Sequence, residues 1–143
     1  MFTTADAVLQ YVTAGNATVT VTSAKTGKHF TFRCRKPDPR EGDRREPPVF
    51  VSTLVGPDNT ADYKYFGLLR DGEFRHGGAK AKIADAAPSV KAWAWVWAWL
   101  RAGALPADCA IAHNGTCGRC GRVLTTPESI DAGFGPECLR RIS

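Results

Sequence analysis

The C-terminal stretch HNGTCGRCGRVLTTPESIDAGFGPECLRRIS concentrates the residues of this chain that can bind a soft metal ion. Cys117 and Cys120 form a C-x-x-C, and Gly118 and Gly121 let the backbone wrap tightly enough for both thiolates and their flanking amides to face one ion. Seventeen residues separate Cys120 from Cys138. Cys138 stands just after Gly135 and Pro136, where a last helical turn is expected to begin and its N-terminal dipole favours a thiolate. The predicted arrangement is a C-terminal zinc knuckle resembling a reduced treble clef: knuckle, short excursion, ligand at a helix start. Structural zinc takes four protein ligands. His113, four residues before Cys117, is the expected fourth, with Cys109 as its rival. A water in that place would make the site catalytic, but only the surface acids Glu128 and Glu137 stand nearby as bases. A thioredoxin-type redox pair fits less well, because that motif opens a helix after a strand and has no distant third cysteine.

The second set of residues with chemical meaning is cationic. Arg119 and Arg122 flank the knuckle, Arg140 and Arg141 close the chain, and Lys80 and Lys82 lie in GGAKAKI. All six are candidates for phosphate contact. GGAKAKI lacks Walker spacing and its Ser/Thr, so it predicts no nucleotide site. In the segment from Lys36 to Pro48, Lys36, Arg40, Arg44 and Arg45 are matched by Asp38, Glu41, Asp43 and Glu46, which predicts a solvated loop rather than a phosphate clamp.

Several elements must position these residues. Ala17 to Ser23 and His29 to Arg35 alternate apolar with polar residues around the turn AKTGK, which reads as a β-hairpin. Val49 to Val55, Asp62 to Arg70 and Glu73 to His76 read as further strands, giving an antiparallel sheet or small barrel. Pro88 and Ser89 mark a helix start, with Ser89 as N-cap, and Gly103 and Pro106 mark its end. The helix expected over 89–102 carries Trp93, Trp95, Trp97 and Trp99 two residues apart, a spacing that alone would suit a strand. Its alanines and end signals favour helix. Val90, Trp93, Trp97 and Leu100 then share one face, and Trp95 and Trp99 another. Both faces are expected in the core, the helix lying between the sheet and the C-terminal module; exposure of one tryptophan pair would instead make it a stacking or partner surface. The fold class is therefore α+β, with a β-rich domain over 1–106 and a zinc-binding module over 107–143.

Composition sets the outer limits. Across 143 residues, 43% are hydrophobic and 23% charged, which is globular. The apolar run Ala92 to Leu100 is too short to cross a bilayer, which needs about 20 residues. The N-terminus MFTTADAVLQYV lacks the pattern of a secretory signal, and the five cysteines are odd in number with metal-like spacing. These features predict a protein of the cytoplasm. The net charge of +5 suits an acidic partner without demanding one.

From Phe30 onward, and above all in GTCGRCGRVLTTPESIDAGFGPEC, the sequence resembles a family of small uncharacterised proteins common in bacteriophage genomes. The stretches FVSTLVGPDNTADYKYFG and PSVKAWAWVW resemble its upstream portion. The resemblance implies a phage origin, hence the host cytoplasm, and a zinc-dependent C-terminal module with Cys117, Cys120 and Cys138 at matched positions and His113 beside them. It implies no activity.

The expected function is a phage-encoded, zinc-containing accessory protein that binds nucleic acid, single-stranded DNA in particular. The alternative is a protein-interaction module, such as an inhibitor of a host enzyme or defence system, or a homo-oligomer joined through tryptophan faces. An HNH-type nuclease, suggested by His113 and Asn114 beside a knuckle, is disfavoured because His29 and His76 are the only other histidines. The chain is expected not to be an enzyme.

Overall fold

A computed structural model describes residues 1–142 as a six-stranded antiparallel sheet with two main helices packed on one side. The strands are β1 (Asn16–Ser23), β2 (His29–Arg35), β3 (Val49–Leu54), β4 (Tyr63–Arg70), β5 (Glu73–His76) and β6 (Cys109–His113). Their order across the sheet is β5-β4-β3-β2-β1-β6, so a five-stranded meander is completed by a late strand returning beside β1. Each of the five strands expected from the sequence forms, because period-two patterning turns one set of apolar side chains to a single face. The β4–β5 turn is Asp71-Gly72, both with positive φ, the geometry that tight hairpins require.

Two helices cover the inner face. Helix α1 (Ala5–Val12), unanticipated from the sequence, is capped by Thr4, whose hydroxyl accepts from the Ala7 amide at 3.2 Å. It buries Ala5, Val8, Tyr11 and Val12, an i, i+3, i+4 stripe. Helix α2 (Pro88–Arg101) is the tryptophan helix. Its N-cap is Ala87 rather than Ser89: Pro88 takes the first helical position, where its missing N–H costs nothing, and Ser89 falls inside. Trp93 lies against Phe32 of β2 with ring centroids 5.0 Å apart, and stacks on Trp97 at 6.0 Å. Burying side chains of this size contributes about 2–3 kcal/mol each.

The expectation that both faces of α2 are buried is corrected. Val90, Trp93, Val96, Trp97 and Leu100 are buried, whereas Trp95 is 46% exposed and leans on Trp99 at 6.1 Å. The C-terminal segment docks against α1 and β6 and leaves the outer side of α2 to solvent. The boundary expected at 106/107 falls between α2 and β6. Beyond it, β6 joins the sheet through β1, and Cys117, Leu124, Phe134 and Cys138 enter the same hydrophobic cluster as Tyr11 and Val19. Among the described residues, no helix is long and apolar enough to cross a membrane.

Candidate metal centre

The knuckle is held by its own backbone before any ion is considered. The Cys117 amide donates to the Arg122 carbonyl at 2.8 Å, the Gly121 amide donates to the Cys117 carbonyl at 2.9 Å, and Thr116 bridges to Val123. Gly121 has φ +79°, a conformation that side chains resist. Gly118 has a different need. A Cβ there would lie 2.6 Å from the Tyr11 ring, so only glycine lets the knuckle press onto α1. The chain then forms α3 (Pro127–Ala132), capped by Thr126 and ended by Gly133, and α4 (Pro136–Ile142), whose first turn contains Cys138.

These constraints bring the sulfurs of Cys117, Cys120 and Cys138 within 4.8 Å of one another. A tetrahedral ion with metal–sulfur bonds of about 2.3 Å needs neighbouring sulfurs roughly 3.8 Å apart, so a small contraction closes the triad on a metal. The donors suit the task. Burial pushes the Cys117 thiol up, but amides of Cys120, Gly135 and Arg119 and the Cys120 side chain together outweigh it and bring it down to about 7. Cys120 is shifted the other way. The Arg122 amide lowers it, yet burial and the neighbouring sulfurs of Cys117 and Cys138 raise it overall, because adjacent thiolates repel until a cation joins them. The Arg119 guanidinium adds a donor to the Cys138 sulfur at 3.6 Å. Three clustered thiols of this kind are able to hold a metal ion.

His113 does not join them. Its Nδ1 accepts from the Gly115 amide at 2.9 Å and its Nε2 bonds the Ile130 carbonyl at 2.6 Å, which fixes the neutral tautomer with the proton on Nε2. Its ring lies 5.4 Å from Tyr11 and 5.6 Å from Phe2, in an aromatic cluster beneath the knuckle. Both nitrogens are thus committed to backbone, and the histidine expected as a ligand braces β6 against α3. Cys109, its rival, lies at the opposite end of β6, paired with Ser23 and lining a groove with Phe30 and Trp95. Among the described residues the donor group contains three members. The fifth cysteine, Cys34, is fully buried in the core, where burial pushes its thiol far up and leaves it inert.

The triad borders an open cavity of about 630 Å³. Four of the six expected phosphate contacts line it: Arg119, Arg122, Arg140 and Arg141. Glu137 is the one acid among its described lining residues, and it pairs with Arg141 at 3.3 Å. Lys80 lies elsewhere, beside Arg33 and Arg35 on the outer face of the sheet, and Lys82 is exposed with its amide bonded to the Tyr65 carbonyl.

Residues 108–143 match a family of unknown function, DUF6011. The DUF6011 match covers β6, the knuckle, α3 and α4, so the segment that holds the triad is the part with a known likeness. The two upstream stretches of the phage-family resemblance lie outside it. No curated protein and no solved structure matches the chain.

Sequence reasoning missed Tyr11, the residue on which the site rests. Its hydroxyl donates to the Thr116 carbonyl at 2.8 Å, and its ring contacts Phe2, His113 and Phe134. The signal was available in the Val8, Tyr11, Val12 spacing of α1.

Proposed function

We propose that this protein is a non-catalytic, zinc-containing accessory protein that binds nucleic acid, with single-stranded DNA as its preferred form, and that it serves a bacteriophage in the host cytoplasm. The carrying observation is the arginine-lined cavity beside the cysteine triad, where Arg119, Arg122, Arg140 and Arg141 converge on one surface against a single acid. Guanidinium groups bind phosphate through planar, bidentate contacts, and several on one surface follow a backbone without reading its sequence. Zinc is the metal that thiolate-rich knuckles suit best, and its part here is to fix the arginines in space.

The test is salt dependence. Affinity for a thymidine oligomer should fall with a log–log slope of about −0.7 for each phosphate contacted, near −3 if all four arginines engage. Replacing Arg119, Arg122, Arg140 and Arg141 by alanine together should flatten that slope, with the metal content unchanged. No binding at low salt would remove this reading. The alternative, a protein-interaction module, draws on the exposed Trp95 beside Trp99, since paired aromatics at a surface serve protein contacts. It predicts that Trp95→Ala frees a bound protein while leaving DNA affinity untouched.

A further inference from the structure

Among the described residues, no α-helix packs on the outer face of the sheet. Every strand residue buried in the core points the other way, toward α1 and α2, and along β1 to β4 the outward set is polar, cationic or aromatic apart from Leu54 and Leu68. Strands β1, β2, β3, β4 and β6 contain no Asp or Glu, while β2 and β4 carry Arg33, Arg35 and Arg70 out of phase with the buried row. The single acid of the sheet, Glu73 of β5, is matched by Arg75 at 3.6 Å.

Strand register orders this face into rows. One runs Thr18, Arg33, Ser52, Tyr65 across β1 to β4; the next runs Asn16, Arg35, Phe50, Leu68, Arg75 across β1 to β5. Phe50 is 37% exposed, unusual for a phenylalanine, and meets Tyr65 edge to face at 5.9 Å. Arg33 lies 4.3 Å over the Tyr63 ring. Phe50, Tyr65, Arg33, Arg35 and Lys80 line one shallow cleft. The second row also reaches the knuckle, because the side chain of Asn16 donates to the Arg119 carbonyl at 2.7 Å.

We propose that this outer sheet face is a base-stacking platform for single-stranded nucleic acid, with Phe50 and Tyr65 taking the π-faces of successive unpaired bases while Arg33, Arg35 and Lys80 hold the intervening phosphates. Solvent-facing aromatics interleaved with cations, in a cleft with no carboxylate among its described lining residues, match an unpaired strand in both of its parts: flat apolar bases and a regular array of negative charge. A duplex hides its bases and would use only the cations. The proposal rests on the nucleic-acid reading above and adds the bases to it: the arginines beside the triad grip backbone, and the sheet reads single-strandedness.

Ultraviolet crosslinking of the unmodified protein to a thymidine oligomer longer than about 16 nucleotides tests this directly. Crosslinks should map to peptides containing Phe50 and Tyr65. In parallel, Phe50→Ala should weaken binding at least fivefold with an unchanged salt slope, because stacking releases no counterions. Arg35→Glu, at an exposed position, should weaken binding and flatten the slope. Crosslinks confined to residues 117–142, with Phe50→Ala binding as tightly as the parent, would overturn the platform and leave the nucleic-acid reading standing. Absence of binding to the oligomer at low salt would overturn both. A dimer in solution that Phe50→Ala dissociates would show that a second copy of the chain covers the face, and would likewise overturn the platform.

Discussion

The metal end and the open sheet face are built on opposite logics. At the metal end Arg119, Arg122, Arg140 and Arg141 ring a cavity whose one acid among the described lining residues is Glu137, and order comes from depth: sulfurs, glycines and aromatic rings leave each other little room. On the sheet face charge is one-sided and order comes from strand register, so its side chains can change with little effect on the fold. A ligand surface tolerates exposure because the scaffold beneath it is rigid. The cysteine triad has less freedom, since two of its members, Cys117 and Cys138, are also part of the core.

The largest effect should come from breaking the clamp. With the metal we propose bound at the triad, Cys120→Ser or treatment with a chelator should cost several kcal/mol, because the free energy of ion binding is also the free energy that orders the knuckle. Hydrogen exchange should show protection lost over residues 114–142 and kept in β2 to β4. If protection in the knuckle survives without metal, the contrast between the two regions fails at its first step.

Tyr11 is where the clamp meets the rest of the fold, and it offers a pH test. Burial pushes its phenol up to about 12 from an ordinary 10, with hydrogen bonds from Thr116 and Thr18 opposing the rise. The folded state thus prefers the neutral phenol. Its contribution is complete below pH 10 and is lost as pH rises from 10 to 12, a fall of about 3 kcal/mol at 1.36 kcal/mol per unit. Tyr11→Phe should cost about 1–2 kcal/mol at neutral pH, by leaving the Thr116 carbonyl without its donor, and should remove this share of the alkaline destabilisation. Melting curves of both proteins between pH 8 and 12, conditions set by the 10 to 12 window, measure the difference. Parallel pH profiles would mean that Tyr11 is not the group that titrates.

The strands and the triad were legible because each obeys a local rule. Period-two alternation marks β1 to β4, and thiols at C-x-x-C spacing followed by Gly-Pro-x-Cys mark the clustered cysteines able to hold a metal. His113 shows where such rules end. Its spacing from Cys117 suits a ligand, but Gly115 and Ile130 saturate both ring nitrogens, and the Ile130 contact depends on how α3 folds back over β6. Strand β6 was hidden for a related reason. CAIAH has a single large apolar residue, Ile111, and its place beside β1 follows from tertiary pairing rather than from pattern. Helix α1 carried a readable cap and stripe in Thr4, Val8, Tyr11 and Val12. The side of α2 left open depended on where the C-terminal segment docked, which no spacing within the helix encodes.

The smallest effect on stability should come from the sheet face. Phe50 stands beside Arg35 and Leu68 in its row with more than a third of its surface already in water. Truncating it forfeits the edge contact with Tyr65, an interaction of about 0.5–1.5 kcal/mol, and opens no enclosed cavity, so Phe50→Ala should lower stability by about 1 kcal/mol. A buried phenylalanine truncated in the same way loses about 3–5 kcal/mol. Urea unfolding gives the value directly. A loss in the upper range would mean that Phe50 belongs to the packing after all, and that the open face is held by the same logic as the metal end.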